Sequence, residues 1–458
     1  MKIMLTHGYF LEEDAKEKQI MRPYPPLGIL YISAWLEENG FLNTVFDSTF
    51  QSMEKLHSSL LEQKPQLIGI YTNLMTKLNV LKIIQFIKSH EELKNTRIIL
   101  GGPEVRNHKM KFLEYGADVV VFGEGEETML ELVKAFALDD PNLSEIPGIA
   151  FMNKDTVMVT SERTLIRDVE RLPFPARQKI DLQLYFNAWK QKHGISMVNV
   201  STMRGCPYSC KWCSRAVYGT SYRRRSAKLV VDEIEWLQSN YQFDMIWFVD
   251  DVFTISHKWM QEFAEEISRR QIKFAYEIIT RSDRVNEEML MLLKKTGCSR
   301  VWIGAESGSQ KIIDAMDRRV KVGQVRETIK MVKQYGMQAG TFIMLGYPGE
   351  DESDIVETLH HLKYSNPDLY TITVAYPIKG TLLYQEVENI FTEDLPWEST
   401  TDRDIDFTRR YKRSYYNHAV NWINHEMKYH QSEKNWKSLV VKLRALKARS
   451  KMWLDKMG

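Results

Sequence analysis

The sequence predicts an α/β protein with an N-terminal doubly wound, Rossmann-like sheet over residues 1–140, a linker over 141–193, a partial (β/α)6 barrel over 194–385 and a helical segment over 386–458. Three observations predict it. Short apolar runs alternate with amphipathic helical patterns twice over, once on each side of the linker. The stretch between them loses that rhythm and holds Pro141, Pro147-Gly148, Pro173 and Pro175. The chain of 458 residues is also too long for one hydrophobic core, so it divides.

In the first region Lys2–Thr6 reads as a strand. Leu27–Asn39 reads as a helix, with Leu27, Leu30, Tyr31, Ala34 and Trp35 on one stripe and Asn39-Gly40 as its stop. Strands follow at Asn43–Phe46, Leu67–Tyr71, Arg97–Leu100 and Val119–Phe122, with helices at Met53–Gln63, Leu78–Ser89, His108–Tyr115 and Glu127–Phe136. Strands alternating with helices in this way imply a parallel sheet covered on both faces. The linker has one expected hairpin, at Asn153-Lys154-Asp155. In the second region the strands are Met197–Ser201, Met245–Val249, Phe274–Thr280, Arg300–Ile303, Gln338–Met344 and Leu369–Val374. Helices between and after them, from Ala227–Tyr241 to Asp351–Lys363, make six βα units, which suit an open barrel better than one of eight.

Composition narrows the function classes. Hydrophobic content of 43% with 27% charged residues describes a globular chain, and the net charge of +2 argues against a dedicated nucleic-acid binder. No run reaches the ~18 apolar residues of a transmembrane segment, and the N-terminal apolar run is too short for a signal peptide. A cytoplasmic protein is expected. Only four cysteines occur, and Cys206, Cys210 and Cys213 cluster, which points to a metal and not to a disulfide framework.

Those three cysteines lie in Arg204-Gly205-Cys206-Pro207-Tyr208-Ser209-Cys210-Lys211-Trp212-Cys213, just after a candidate strand. Gaps of three and two residues let one loop wrap an iron–sulfur cluster, and three thiolates leave one iron open to a chelating small molecule. The alternative is a structural zinc knot, which needs a fourth ligand from Cys298 or a distant histidine.

The spacing Cys-x-x-x-Cys-x-Trp-Cys resembles the signature of the radical S-adenosylmethionine (SAM) superfamily. Phe248–Thr254, Thr280-Arg281-Ser282-Asp283, Ile303–Ser309, Met344–Glu350 and the altered Tyr376-Pro377-Ile378-Lys379-Gly380-Thr381 resemble that family's later strand-end motifs in order. The resemblance covers roughly residues 195–385. It implies a 4Fe–4S cluster on Cys206, Cys210 and Cys213 that cleaves SAM, with Trp212 beside it. It implies contacts to SAM from Glu306, Ser307 and Ser309, pairing of Arg281 with a carboxylate, and Asp250 and Asp251 facing the ligand region.

The loops of the first region carry a second resemblance. Pro25-Pro26-Leu27-Gly28 opens a helix, Tyr71-Thr72 ends a strand, Gly101-Gly102-Pro103-Glu104 ends the next, and Gly123-Glu124-Gly125-Glu126 the one after. Glycines there let backbone approach a large flat ligand at the carboxyl edge of the sheet. The set resembles the cobalamin-binding domain ahead of the radical SAM domain in a large subfamily. The motif Asp-x-His-x-x-Gly is absent; Asp47-Ser48-Thr49 lies near its place, and His7 and His108 are the histidines left to consider as cobalt ligands. The resemblance therefore implies cobalamin with an unligated lower face.

The last segment is basic, with fourteen Lys/Arg against six Asp/Glu over 401–458. Leu439, Val440, Leu443, Leu446 and Trp453 recur at helical spacing among lysines and arginines; such a helix can lie on an anionic membrane, but the expected arrangement is packing on its own domain with its cations in water. Trp422, His425, Tyr429, His430 and Trp436 are candidates for a substrate pocket. Together the resemblances imply a cobalamin-dependent radical SAM enzyme. Its expected reaction is C-methylation of an unactivated carbon, by way of a 5′-deoxyadenosyl radical and methylcobalamin. Cyclisation or rearrangement without methyl transfer is the alternative, and a non-catalytic metal-binding regulator the remote one. The expected partners are a small-molecule or peptide substrate and an electron donor such as flavodoxin or ferredoxin.

Overall fold

The computed structural model describes residues 1–138, 141–433 and 435–457; Asp139 and Asp140, which close the expected first domain, lie outside the described residues. β1 (Ile3–His7), β2 (Thr44–Phe46), β3 (Leu67–Tyr71), β4 (Arg97–Gly101) and β5 (Val119–Val121) are parallel, in the order β2-β1-β3-β4-β5. Alternation along each strand sends side chains to two separate cores. Met4, Ile68, Ile70, Ile98, Leu100 and Val120 pack on one face, and Ile3, Leu5, Leu67, Ile99, Val119 and Val121 on the other. The second core includes Ile29 and Leu36 of the helix Leu27–Glu38 and Met129 of the helix Glu126–Ala135. Both faces are covered, as a doubly wound sheet requires.

The stretch read as a linker is largely structured. β6 (Ile149–Asn153) pairs antiparallel with β5, and β7 (Thr156–Val159) with β6, so the first sheet has seven strands and runs past residue 140. The expected hairpin turns through Lys154 in the left-handed region. Farther on, Leu182–His193 is a helix capped by the Asp181 side chain, and its Leu182, Tyr185 and Phe186 join the core of the second sheet. Prolines there mark the joints between short elements and not an absence of structure.

The second sheet holds β8 (Met197–Val200), β11 (Met245–Phe248), β12 (Ala275–Thr280), β13 (Cys298–Glu306), β14 (Gln338–Leu345) and β15 (Leu369–Val374), in chain order and all parallel. β8 and β15 are its edges, so this is an open six-stranded barrel. Between β8 and β11 a small antiparallel ribbon, β9 (Met203–Arg204) and β10 (Arg223–Arg224), brackets the cysteine loop.

After the short helix Leu382–Val387, residues 391–412 are mostly irregular, with one bridge between Phe391 and Phe407, so the segment 386–458 is helical only in its later part. There Arg413–Gln431 and Trp436–Met457 pack side by side. The stripe expected to face inward does not. Ser438, Ala445, Ala448 and Met452 are buried instead, while Leu439, Val440, Leu443, Leu446 and Trp453 are exposed. Small side chains let the two helix axes approach closely, and this decides the orientation. No helix among the described residues is long and apolar enough to cross a membrane.

Candidate active site

The ribbon pairs Arg204 with Arg223 and Met203 with Arg224, pinching the neck of the loop that carries the three cysteines. Gly205 sits at this neck with φ +84°, and a Cβ there would lie 2.4 Å from the carbonyl oxygen of Ser221. Only glycine satisfies both the dihedral and the space. Gly205→Ala is expected to open the neck and to lower the iron bound per chain after anaerobic reconstitution well below that of wild type. Wild-type iron content in that variant would show that the neck does not shape the loop. The loop is also tied down by the Ser209 hydroxyl on Asp317 (2.8 Å) and by Lys211, whose carbonyl accepts from Leu383 N at 2.9 Å.

Cys206, Cys210 and Cys213 line one cavity of about 600 Å³ at the carboxyl edge of the second sheet. Cys210 is buried and its Sγ meets two guanidiniums, Arg318 Nη1 at 3.5 Å and Arg281 Nη1 at 3.9 Å. Hydrogen bonding with Cys213, together with Arg318 and Arg281, draws the Cys210 thiol down to about 5 against its burial. The thiolate is the iron-ligating form, so this charge favours the state a cluster needs. Arg318 carries no motif in the sequence and reaches the site only through the fold.

Arg281 holds Asp283 in a two-pronged bond (2.8 and 3.1 Å) and stacks 3.8 Å above the Tyr208 ring. The carboxylate expected opposite it is thus supplied by the chain itself. Glu306 ends β13 where the register slips, and it has φ +64°, a strained conformation for a non-glycine residue. It lines the cavity 3.8 Å from Arg318, and burial pushes its carboxyl up to about 7. Ser307 and Ser309 do not line this cavity: their hydroxyls meet Thr358 (3.2 Å) and Asp354 (2.7 Å) and hold the turn beneath Glu306. Asp250 lines the cavity, and its carboxylate accepts from Thr202 N and Met203 N at 2.8 and 3.1 Å and so fastens the approach to the cysteine loop. Asp251 and Trp212 line the cavity, Trp212 lying under Arg318.

A second cavity, of about 390 Å³, follows the carboxyl edge of the first sheet. Pro26, Leu27 and Gly28 form one wall, Tyr71, Gly101 and Gly102 another, and the loop Gly123–Glu126 a third. A Cβ on Gly101 or Gly123 would meet nothing within 4 Å, so these glycines leave a cradle that side chains would fill. Asn199, also on the wall, has a buried Oδ1 with no partner among the described residues. The cradle and the orphan acceptor fit a large, flat, polar-edged group such as a corrin. Thr72 stands behind this surface, where its carbonyl would lie 2.3 Å from a Cβ on Gly102.

Glu124 and Glu126 line the crevice too, but their carboxylates are taken. Glu124 accepts from Arg204 (2.8 Å), Arg223 (2.6 Å) and Ile166 N (2.8 Å), and Glu126 bonds the other arm of Arg204. The crevice loop and the neck of the cysteine loop are therefore locked together. Leu27, Gly28, Pro103, Glu126, Val217, Tyr218 and Val249 line both cavities, so the two adjoin.

The histidines do not offer a free nitrogen to the crevice. His7 Nε2 bonds Asp47 at 3.0 Å and its Nδ1 accepts from Tyr9 N at 3.2 Å, so both ring nitrogens are engaged. His108 is buried away from the crevice beside Glu104 and Asp402, their ligand atoms within 4.8 Å of one another. Burial, with Lys379, Lys77 and Lys111 near, pushes its imidazole down to about 3, and the same positive field opposes a cation there. Among the described residues the three cysteine sulfurs do not form a group within 4.8 Å of one another, the spacing that ligands of a single tetrahedral zinc would need. Cys298 begins β13, about 26 Å of strand from Glu306, and its thiol donates to Arg300 O at 3.4 Å. Trp422, His425, Tyr429, His430 and Trp436 line neither cavity.

Comparison with known proteins agrees with this geometry. A family model described as the radical SAM superfamily matches residues 200–362, and one described as the B12 binding domain matches residues 20–133. An uncharacterised methyltransferase of Pyrococcus horikoshii is 27% identical over 401 residues, 86% of this chain and 85% of that protein. The anaerobic magnesium-protoporphyrin IX monomethyl ester cyclase of Cereibacter sphaeroides is 27% identical over 407 residues, 85% of this chain and 64% of that protein. Among solved structures, the cobalamin-dependent SAM radical enzyme OxsB with aqua-cobalamin and SAM bound aligns with a TM-score of 0.76 at 17% identity, covering 100% of this chain and 72% of that one.

Proposed function

Since the chain belongs to the radical SAM superfamily, with a B12-binding domain ahead of its barrel and a 4Fe–4S cluster, SAM and cobalamin as its cofactors, we propose that it converts a small molecule held where its two cavities adjoin, by oxidative cyclisation or rearrangement without methyl transfer. The observation that carries the proposal is the shared wall of Leu27, Gly28, Pro103, Glu126, Val217, Tyr218 and Val249 between the cysteine cavity and the glycine-edged crevice. When bound, the cluster and SAM supply a carbon-centred radical, and cobalamin supplies a second redox centre. The residues do the rest. Cys206, Cys210 and Cys213 hold the cluster, Arg318 and Arg281 balance its thiolate charge, and Glu306 and Asp251 offer acceptors to SAM. The shared wall, apolar apart from Glu126 with its carboxylate on Arg204, would limit the access of water to the space between the cofactors. Electrons would arrive from a flavodoxin or ferredoxin.

The cyclase relative supports the choice of reaction, matching 85% of this chain. A second reading, C-methylation, is favoured by the relative from Pyrococcus horikoshii at the same identity. Product mass separates the two. Cyclisation removes hydrogen and yields 5′-deoxyadenosine without S-adenosylhomocysteine, whereas methylation adds one CH₂ unit and yields both. Stoichiometric S-adenosylhomocysteine together with a heavier product would overturn the first reading in favour of the second.

A further inference from the structure

The helix Trp436–Met457 has two apolar faces. Ser438, Ala445, Ala448 and Met452 are packed inward. On the other side Trp436, Leu443, Leu446 and Trp453 are 70%, 64%, 55% and 59% exposed. At 3.6 residues per turn these four fall in one arc of roughly 100°, opposite the packed face. The orientation is fixed, because Lys442 bonds Glu426 at 2.6 Å and Arg449 and Lys456 both bond Glu352. Along the other border stand Lys437, Arg444, Lys447 and Lys451, which pair with no carboxylate among the described residues. The helix holds seven Lys/Arg against Asp455 alone, a net of +6.

We propose that this face docks the protein on an anionic phospholipid bilayer, with the helix lying flat among the headgroups. A continuous exposed apolar arc is costly in water, and a bilayer interface satisfies each part of it. Leucines enter the acyl boundary, the two tryptophans sit at headgroup depth, and the bordering cations meet lipid phosphates. A second copy of the chain fits poorly, since self-docking would set cationic borders against each other.

The test is cosedimentation of the full-length holoenzyme with vesicles of phosphatidylcholine alone or mixed with phosphatidylglycerol. Binding is expected on the anionic vesicles, and each free cation contributes about a five-fold factor in affinity. Lys447→Glu/Lys451→Glu should therefore weaken binding by at least about 25-fold, and Leu443→Glu/Leu446→Glu should abolish it. Both variants should retain wild-type SAM cleavage, which shows that they fold. No binding to anionic vesicles, or binding that neither variant weakens, would overturn the proposal. So would a concentration-dependent dimer in sedimentation velocity that Leu443→Glu/Leu446→Glu dissolves, since the face would then be covered by a second copy.

Discussion

Cys210→Ala is expected to abolish SAM cleavage, by at least about a thousand-fold, because no other side chain in the cavity replaces a lost cluster ligand. Cys210 is the most deeply placed of the three cysteines and the one that both guanidiniums address. The loss should therefore appear in iron content as well as in turnover. Cobalamin binding should survive, since none of the cysteines lines the glycine-edged crevice. Reconstituted variant protein should thus keep a corrinoid visible spectrum while releasing no 5′-deoxyadenosine. Turnover persisting in that variant would mean that the thiolates do not carry the chemistry.

The second large effect is expected at the junction of the two sheets. Arg204 divides its guanidinium between Glu124 and Glu126, all three being buried. Arg204→Met leaves Glu126 charged and unpaired in a buried site, and breaking such a pair costs about 3–5 kcal/mol. Burial alone would raise the Glu126 carboxyl, but Arg204 outweighs it and holds that carboxyl below its ordinary range. A depressed folded-state pKa means that the stabilisation is complete above the ordinary carboxylate value of about 4.3 and is lost as the pH falls through the folded value. Denaturant midpoints should accordingly separate wild type from variant most at neutral pH and converge in acid. Glu126→Gln added to Arg204→Met should recover part of the loss, because the orphaned charge is gone. Equal midpoints at neutral pH would show that the junction is not held by this network.

The parallel strands of both sheets were legible because most are buried on two faces and all are separated by helices, whereas the antiparallel β6 and β7, joined by a hairpin, fell in the stretch read as a linker. The cysteine loop was legible because its spacing is local. What the sequence hid is non-local. Arg318 follows a short helix with nothing to mark it, and only the return of that loop brings its guanidinium to Cys210. Ser307 and Ser309 looked like ligand contacts, but helix Glu352–Ser365, distant in sequence, claims their hydroxyls. The helix Leu182–His193 had a visible signal in Leu182, Tyr185, Phe186 and Trp189 at helical spacing, masked by the prolines before it. The C-terminal stripe was visible as a stripe. Which side of it packs depended on how closely two helices approach, a quantity that hydrophobicity does not report.

The most direct test of the account is the electron paramagnetic resonance spectrum of the dithionite-reduced, reconstituted protein, recorded before and after SAM is added. If three cysteines leave one iron open to SAM, the reduced-cluster signal shifts on addition, and the shift is lost together with the cluster in Cys210→Ala. A signal indifferent to SAM, or a protein that binds zinc and no iron at this loop, would contradict it.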